Sequence, residues 1–160
     1  MTNIIEKQAR TWLGTKFHHQ GRIKKTSTHK GGVDCLGLLM GVAKELALKS
    51  RDEITPLHTL DNINYRAFPD SKFLRHQLKT HLYEIPKDKI KAGDIVLMNF
   101  DNSPQHLGII SNYPSDKSKE VGLIHSYAPA KKVIEHRLDK NWLEKIETAF
   151  SIHYSSDKFI

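Results

Sequence analysis

The sequence is poor in cysteine: its 160 residues hold a single one, Cys35. One thiol cannot close an intrachain disulfide, so the fold does not depend on an oxidising compartment, and a zinc site built from several thiolates is excluded. Long apolar runs are lacking too. No segment approaches the ~18 consecutive apolar residues that a membrane-spanning helix needs. The opening stretch, MTNIIEKQARTWLG, places acidic and basic residues where a signal peptide needs its apolar run, which predicts synthesis in the cytoplasm without a leader. Internal repeats and low-complexity blocks are absent. What remains is 38% hydrophobic and 27% charged, the composition of one globular domain with its own core over residues 1–160.

Charge is present in excess of one sign. Twenty-five lysines and arginines against 18 acidic residues give a formal +7, which favours anionic polymers such as cell-wall glycans. The basic residues are dispersed apart from pairs such as Lys24-Lys25 and Lys131-Lys132. That is the pattern of a solvated face, and no nucleic-acid partner is expected.

Periodicity divides the chain in two. Ile4, Ile5, Ala9, Trp12 and Leu13 fall at helical spacing over residues 3–13, with Thr2 or Asn3 as the cap. The polar stretch GTKFHHQGRIKKTSTHKGGV (14–33) reads as a loop, and ordered loops of that length usually line sites. Asp34 suits an N-cap, and Leu36, Leu38, Leu39, Val42, Ala43 and Leu46 predict a buried central helix over 35–48. Residues 49–68 have no period; Phe73, Leu74, Leu78 and Leu82 predict a surface helix over 69–82. After Pro86 the pattern changes to short β-type runs at 93–100, 106–113, 121–127 and 131–138. A short helix around Trp142 and Leu143 and a last strand over 149–154 follow. Helices first and consecutive strands second predict an α+β fold with an antiparallel sheet.

Cys35 stands at the start of the central helix. Unpaired first-turn N–H groups and a neighbouring imidazolium lower a thiol pKa, and the same N–H groups can receive an oxyanion. A base is then required. Of ten histidines, His106 opens the apolar run HLGII and His125 sits inside GLIHSYAP. On adjacent antiparallel strands one of these could face the thiol while the other orients it. His18, His19, His29, His58, His76 and His81 fall in polar loops or on the surface helix, and His136 and His153 in strands without a comparable setting. No histidine spacing matches a metal motif, so neither metal nor other cofactor is expected.

Several blocks then coincide in order: ARTWLGTKFHHQG, DCLGL opening a helix, GDIVLMNF, QHLGII, GLIHSY and NWLEKIETAFSIH. Together they resemble the NlpC/P60 family of cysteine peptidases. More narrowly they resemble its phage-type branch, with its W-[IL]-G-T-x-[YF]-x-H-Q-G, D-C-L-G-L, G-D-[VIL], H-x-[AG]-I and [ML]-I-H-[AS]-Y pattern. The resemblance implies a papain-like α+β fold with the nucleophile's helix packed on an antiparallel sheet. It also implies hydrolysis of peptidoglycan stem peptides, usually at the γ-D-glutamyl–diamino acid bond. Carried over, Cys35 is the nucleophile, His106 the general base and His125 the orienting third residue. Phe17, Gln20 and Asp34 fall in the substrate-contact blocks, Asp34 being either the helix cap or a substrate contact, with the cap favoured. Two positions depart from the family pattern. Phe17 stands where many members have a tyrosine whose hydroxyl reaches the cysteine or the oxyanion site, and Leu36 stands where D-C-S-G members have serine. The resemblance further implies delivery to the wall by a phage-tail-like particle or other export, with tail proteins as partners. Two alternatives stay open: a tail-tip assembly component that keeps the fold with weak hydrolysis, and a cysteine amidase or acyltransferase toxin using the same three residues.

Overall fold

A computed structural model describes residues 3–61, 71–100, 103–115 and 120–153. Helix α1 (Ile4–Arg10) is followed by two short strands, β1 (Arg22–Ile23) and β2 (Gly32–Val33), and by α2 (Cys35–Glu45). Helix α3 (Ser71–His81) leads into β3 (Tyr83–Ile85), β4 (Ile95–Phe100), β5 (Ser103–Asn112), β6 (Val121–Tyr127) and β7 (Lys132–Arg137). Helix α4 (Lys140–Leu143) and β8 (Ile146–Ser151) follow. The α+β class and the antiparallel sheet are as the periodicity predicts: six strands in the order β3-β8-β4-β5-β6-β7, every neighbouring pair antiparallel.

Differences from the sequence reading have local causes. Asn3 caps α1 in a reciprocal capping box with Glu6. The stretch read as one loop contains the β1–β2 hairpin, with Arg22 opposite Val33 and Ile23 opposite Gly32. Gly31 makes the turn into β2 at φ +69°, where a side chain would run into the backbone of Ile23 and Lys25. The residues without a period include a 3-10 turn, Leu57–Leu60, that buries Leu57. Strand β3 was not expected, and the last strand begins at Ile146, because Glu147 and Thr148 interrupt its apolar pattern while its pairing with β4 does not. Thr2, residues 62–70 and Tyr154 lie outside the described residues.

The sheet is covered on both faces. Opposed partners in antiparallel strands share a face, so Ile95, Leu97, Leu107, Ile109 and Ile124 form one side, against Leu38, Leu39, Val42 and Ala43 of α2. Ile5, Ala9 and Trp12 of the N-terminal segment and Leu74 and Leu78 of α3 complete that layer. Val96, Met98, Ile110 and Leu123 form the opposite side with Ile146 and Ala149, against Ile90, Phe100 and Trp142. At ~25 cal/mol per Å² of apolar area, each fully buried leucine or isoleucine contributes ~1.5–3 kcal/mol, so both layers matter to stability. No helix among the described residues is long and apolar enough to cross a membrane.

Candidate active site

Asp34 fixes the start of α2. It is buried, and its Oδ1 accepts the Gly37 N–H (2.8 Å) and an Arg22 guanidinium N–H (3.0 Å). Its Oδ2 accepts the N–H of Gln20 (2.9 Å), which holds that residue in the left-handed region at φ +61°. Arg22 in turn grips Asp61 with Nε (2.7 Å) and Nη2 (3.0 Å). The carboxylate is thus at once a helix cap and a clamp on the 20–22 segment. Gly37 is required by this clamp, since a Cβ there would overlap the Gly21 carbonyl oxygen. Phe17 is half-buried and reaches the same region from the other side: its N–H donates to the Lys131 carbonyl (2.9 Å), and its backbone bridges to Val33.

Cys35 follows the cap directly. Strands β5 and β6 are paired from Ile109–Ile124 to Asn112–Val121, and no pairing joins them at residues 106–108. The start of α2 meets this split. The buried Ser126 hydroxyl donates to the Val33 carbonyl (2.7 Å), and the Cys35 sulfur receives backbone N–H groups of Leu107 and Leu36. Across the same split His106 Nε2 and His125 Nδ1 lie 2.6 Å apart, with ring centroids 4.9 Å apart. Gly108 leaves room there; a Cβ would strike the Leu123 side chain. The three residues expected at the centre therefore gather at one opening in the sheet, with the thiol against the peptide that joins His106 to Leu107.

The electrostatics differ from expectation. Burial pushes the Cys35 thiol from 9.0 up to about 12, aided by the Asp34 carboxylate; the Leu107 and Leu36 N–H groups and Arg22 act the other way without prevailing. Burial likewise lowers His106 to about 4 against a raising influence of Asp34. His125 falls further, to about 2, through burial and then its two histidine neighbours. Burial thus favours a neutral thiol beside a neutral imidazole and opposes the lowering of the thiol pKa expected from the helix start and a neighbouring imidazolium. Helix N–H groups are present as expected, but desolvation outweighs them.

One histidine passed over in the sequence belongs here. His136 Nε2 lies 2.8 Å from His125 Nε2, and His136 Nδ1 lies 2.7 Å from the Arg137 carbonyl oxygen. Its position could have been read from hairpin register: His125 pairs with Ile134, which puts His136 one diagonal step away on the same face. An aromatic layer covers the row. Trp142 stands over His136 (centroids 4.5 Å) and edge-on to His125 (5.3 Å), while Tyr127 stacks on His125 (5.0 Å) and Phe100 adjoins His106 (5.4 Å).

Neither a family model nor a curated protein sequence matches the chain. Solved structures do. The NlpC/p60 domain of the peptidoglycan hydrolase SagA superposes with a TM-score of 0.57 over 92% of this chain and 96% of its own, at 17% identity. The P60 domain of M. avium subspecies paratuberculosis antigen MAP1204 gives 0.56 at 15% identity over 94% of both chains. The fold is that of NlpC/P60 domains. A structure described as an N-acetylmuramoyl-L-alanine amidase from Bacteroides uniformis also matches, with a TM-score of 0.50 and 14% identity over 91% of this chain and 96% of its own. At such identities the NlpC/P60 likeness speaks for architecture, and the chemistry must be argued from Cys35, His106 and their surroundings.

Proposed function

We propose that the chain is a cysteine peptidase of the NlpC/P60 family that hydrolyses peptidoglycan stem peptides, in the phage-associated branch whose motifs its sequence resembles. The observation that carries this reading is the His106–His125 pair bonded across the split in the sheet where the only thiol, at a helix start, meets the same strand. In the proposed mechanism the thiol is neutral at rest. As Cys35 Sγ attacks the stem-peptide carbonyl, its proton passes to His106, the S–C bond forms and the carbonyl electron pair becomes the oxyanion. Of the first-turn amides, that of Leu36 points to the sulfur and that of Gly37 to Asp34, so the Cys35 N–H is assigned to the oxyanion. Collapse breaks the C–N bond, and the leaving amine takes the proton from His106. Water then attacks the thioester and gives a proton to His106; the S–C bond breaks, and the thiolate recovers that proton. His125 orients His106 throughout.

Asp34 serves in this reading as cap and clamp, and the Phe17–Gln20 segment that it holds lines the substrate side of the thiol. The γ-D-glutamyl–diamino acid bond is the proposed target, with delivery by a tail-like particle. The likeness to the amidase structure favours one second reading, in which the same thiol cleaves the amide between lactyl-sugar and peptide. Incubating the protein with purified peptidoglycan and identifying products by mass spectrometry separates the two. The endopeptidase releases fragments cut between glutamate and the diamino acid; the amidase releases whole stem peptides with a free alanine amine. Intact sacculi after prolonged incubation would overturn both.

A further inference from the structure

The row of histidines has a direction, because a carbonyl oxygen only accepts. Arg137 O lies 2.7 Å from His136 Nδ1, so that nitrogen carries the hydrogen and His136 Nε2, in the neutral ring, keeps a lone pair. The lone pair must be met by a hydrogen on His125 Nε2, 2.8 Å away. His125 Nδ1 then accepts, and the hydrogen in the 2.6 Å contact belongs to His106 Nε2. One nitrogen remains without a hydrogen: His106 Nδ1. We propose that His136 is a positioning residue which, anchored on the Arg137 carbonyl, fixes the tautomers of His125 and His106 and keeps the lone pair of His106 on Nδ1, where it can take the Cys35 proton. Only that last step rests on the hydrolase reading.

The row would fail without its far end. If His136 could not accept, nothing would hold the hydrogen on His125 Nε2 in a buried aromatic setting, where an unmet N–H is costly. Moving it to Nδ1 would oblige His106 to present a lone pair at Nε2 and carry its hydrogen on Nδ1, the wrong tautomer for a base. His125, fully buried, is the less basic of the two rings, so a proton taken up by His106 stays there and is not passed along the row. His136 therefore acts through hydrogen-bond direction. Trp142, standing over the His125–His136 contact, keeps water from replacing the missing acceptor.

The test uses the full chain labelled with ¹⁵N-histidine at pH 8, with two-bond ¹H–¹⁵N correlation spectra to read each ring's tautomer. In the unmodified protein His106 and His125 should both show hydrogen on Nε2, and His136 should show it on Nδ1. His136→Phe should move His106 wholly or partly to the Nδ1–H form. His136→Gln, whose amide oxygen can still accept, should keep the original pattern. Against a stem peptide, His136→Phe should lose about tenfold or more in kcat with KM within about twofold, and His136→Gln should recover most of the loss. A hydrogen on His106 Nδ1 in the unmodified protein, or identical His106 patterns in all three proteins, would overturn the proposal. The predicted tautomers in a protein that leaves stem peptides uncut would instead overturn the hydrolase reading and leave the tautomer assignment standing.

Discussion

From Ile109 to Asn112 strand β5 is paired with β6, while from His106 to Gly108 it is not, and the two ends of this one strand pair hold different kinds of polar group. At the paired end, fully buried Glu6 accepts the Asn112 N–H (2.7 Å), and Arg10 bridges Glu6 (3.3 Å) and Glu135 (3.0 Å). Ser111 adds its own bond to Glu135 (2.7 Å). There each charge meets its opposite, and α1 is tied to β5 and β7. At the open end, a half-buried thiol stands with half-buried His106 and fully buried His125; desolvation favours the neutral form of all three, and Arg22 opposes it at the sulfur without prevailing. Paired charges strengthen a fold only when both partners remain, whereas neutral groups near one another keep a proton available for transfer. Chemistry is proposed where the ladder opens, and stability where it is closed.

The sharpest way to break this contrast is to strike each end once. Cys35→Ala should abolish hydrolysis while changing the thermal midpoint little, because it removes a single half-buried sulfur. Glu6→Ala should do the reverse: the loss of a buried partner typically costs about 3 kcal/mol, yet activity per folded molecule should persist. Denaturant titration and a stem-peptide assay on both proteins provide the check. Full activity in Cys35→Ala would end the enzymatic reading; an unchanged midpoint in Glu6→Ala would end the claim that the paired end carries the stability.

Next in size is the difference between the two histidines at the open end. Loss of a direct base typically lowers the rate ~10²–10⁴-fold, so His106→Ala should fall in that range. His125→Asn, which keeps an acceptor for His106 but loses the ring, should fall less. Equal residual rates would mean that orientation and proton transfer cannot be told apart, and would remove His106 from its assigned role as the sole base.

How much of this was legible follows the same division. Asp34 and Cys35 are neighbours in sequence, and capping chemistry alone placed them at the helix start. His106 and His125 were found because one opens an apolar run and the other sits inside one, a signal that a burial pattern carries by itself. His136 was not, since its strand is half-exposed and its importance comes from a diagonal across a hairpin. The clamp of Arg22 on Asp61 joins residues 39 positions apart with no pattern around either. The balance of influences on the thiol is legible only in part for a related reason: helix N–H groups are local and can be read, while the desolvation that opposes them depends on the whole layer packed around the sulfur.

The smallest effect separates the two ends by pH alone. An unfolded histidine takes up its proton near 6.5, whereas folded His106 waits until about 4 and His125 until about 2. Between those values the unfolded chain binds more protons, so these two groups contribute stability that is full above 6.5 and is lost as pH falls toward 4 and then 2. Cys35 works in the opposite direction: its folded value of about 12 against 9.0 means that stability is lost as pH rises above 9. His106→Asn should flatten the acid limb of the thermal midpoint relative to the unmodified protein, and Cys35→Ser should flatten the alkaline limb. Carboxylate titration, common to both proteins in the acid comparison, cancels in the difference. Iodoacetamide offers an independent reading, because a neutral thiol should react slowly at pH 6 and accelerate roughly tenfold per pH unit into the alkaline range. Fast, pH-independent alkylation at pH 6 that is lost in His106→Asn would show a resting ion pair, and the open end of the strand pair would then be charged like the closed one.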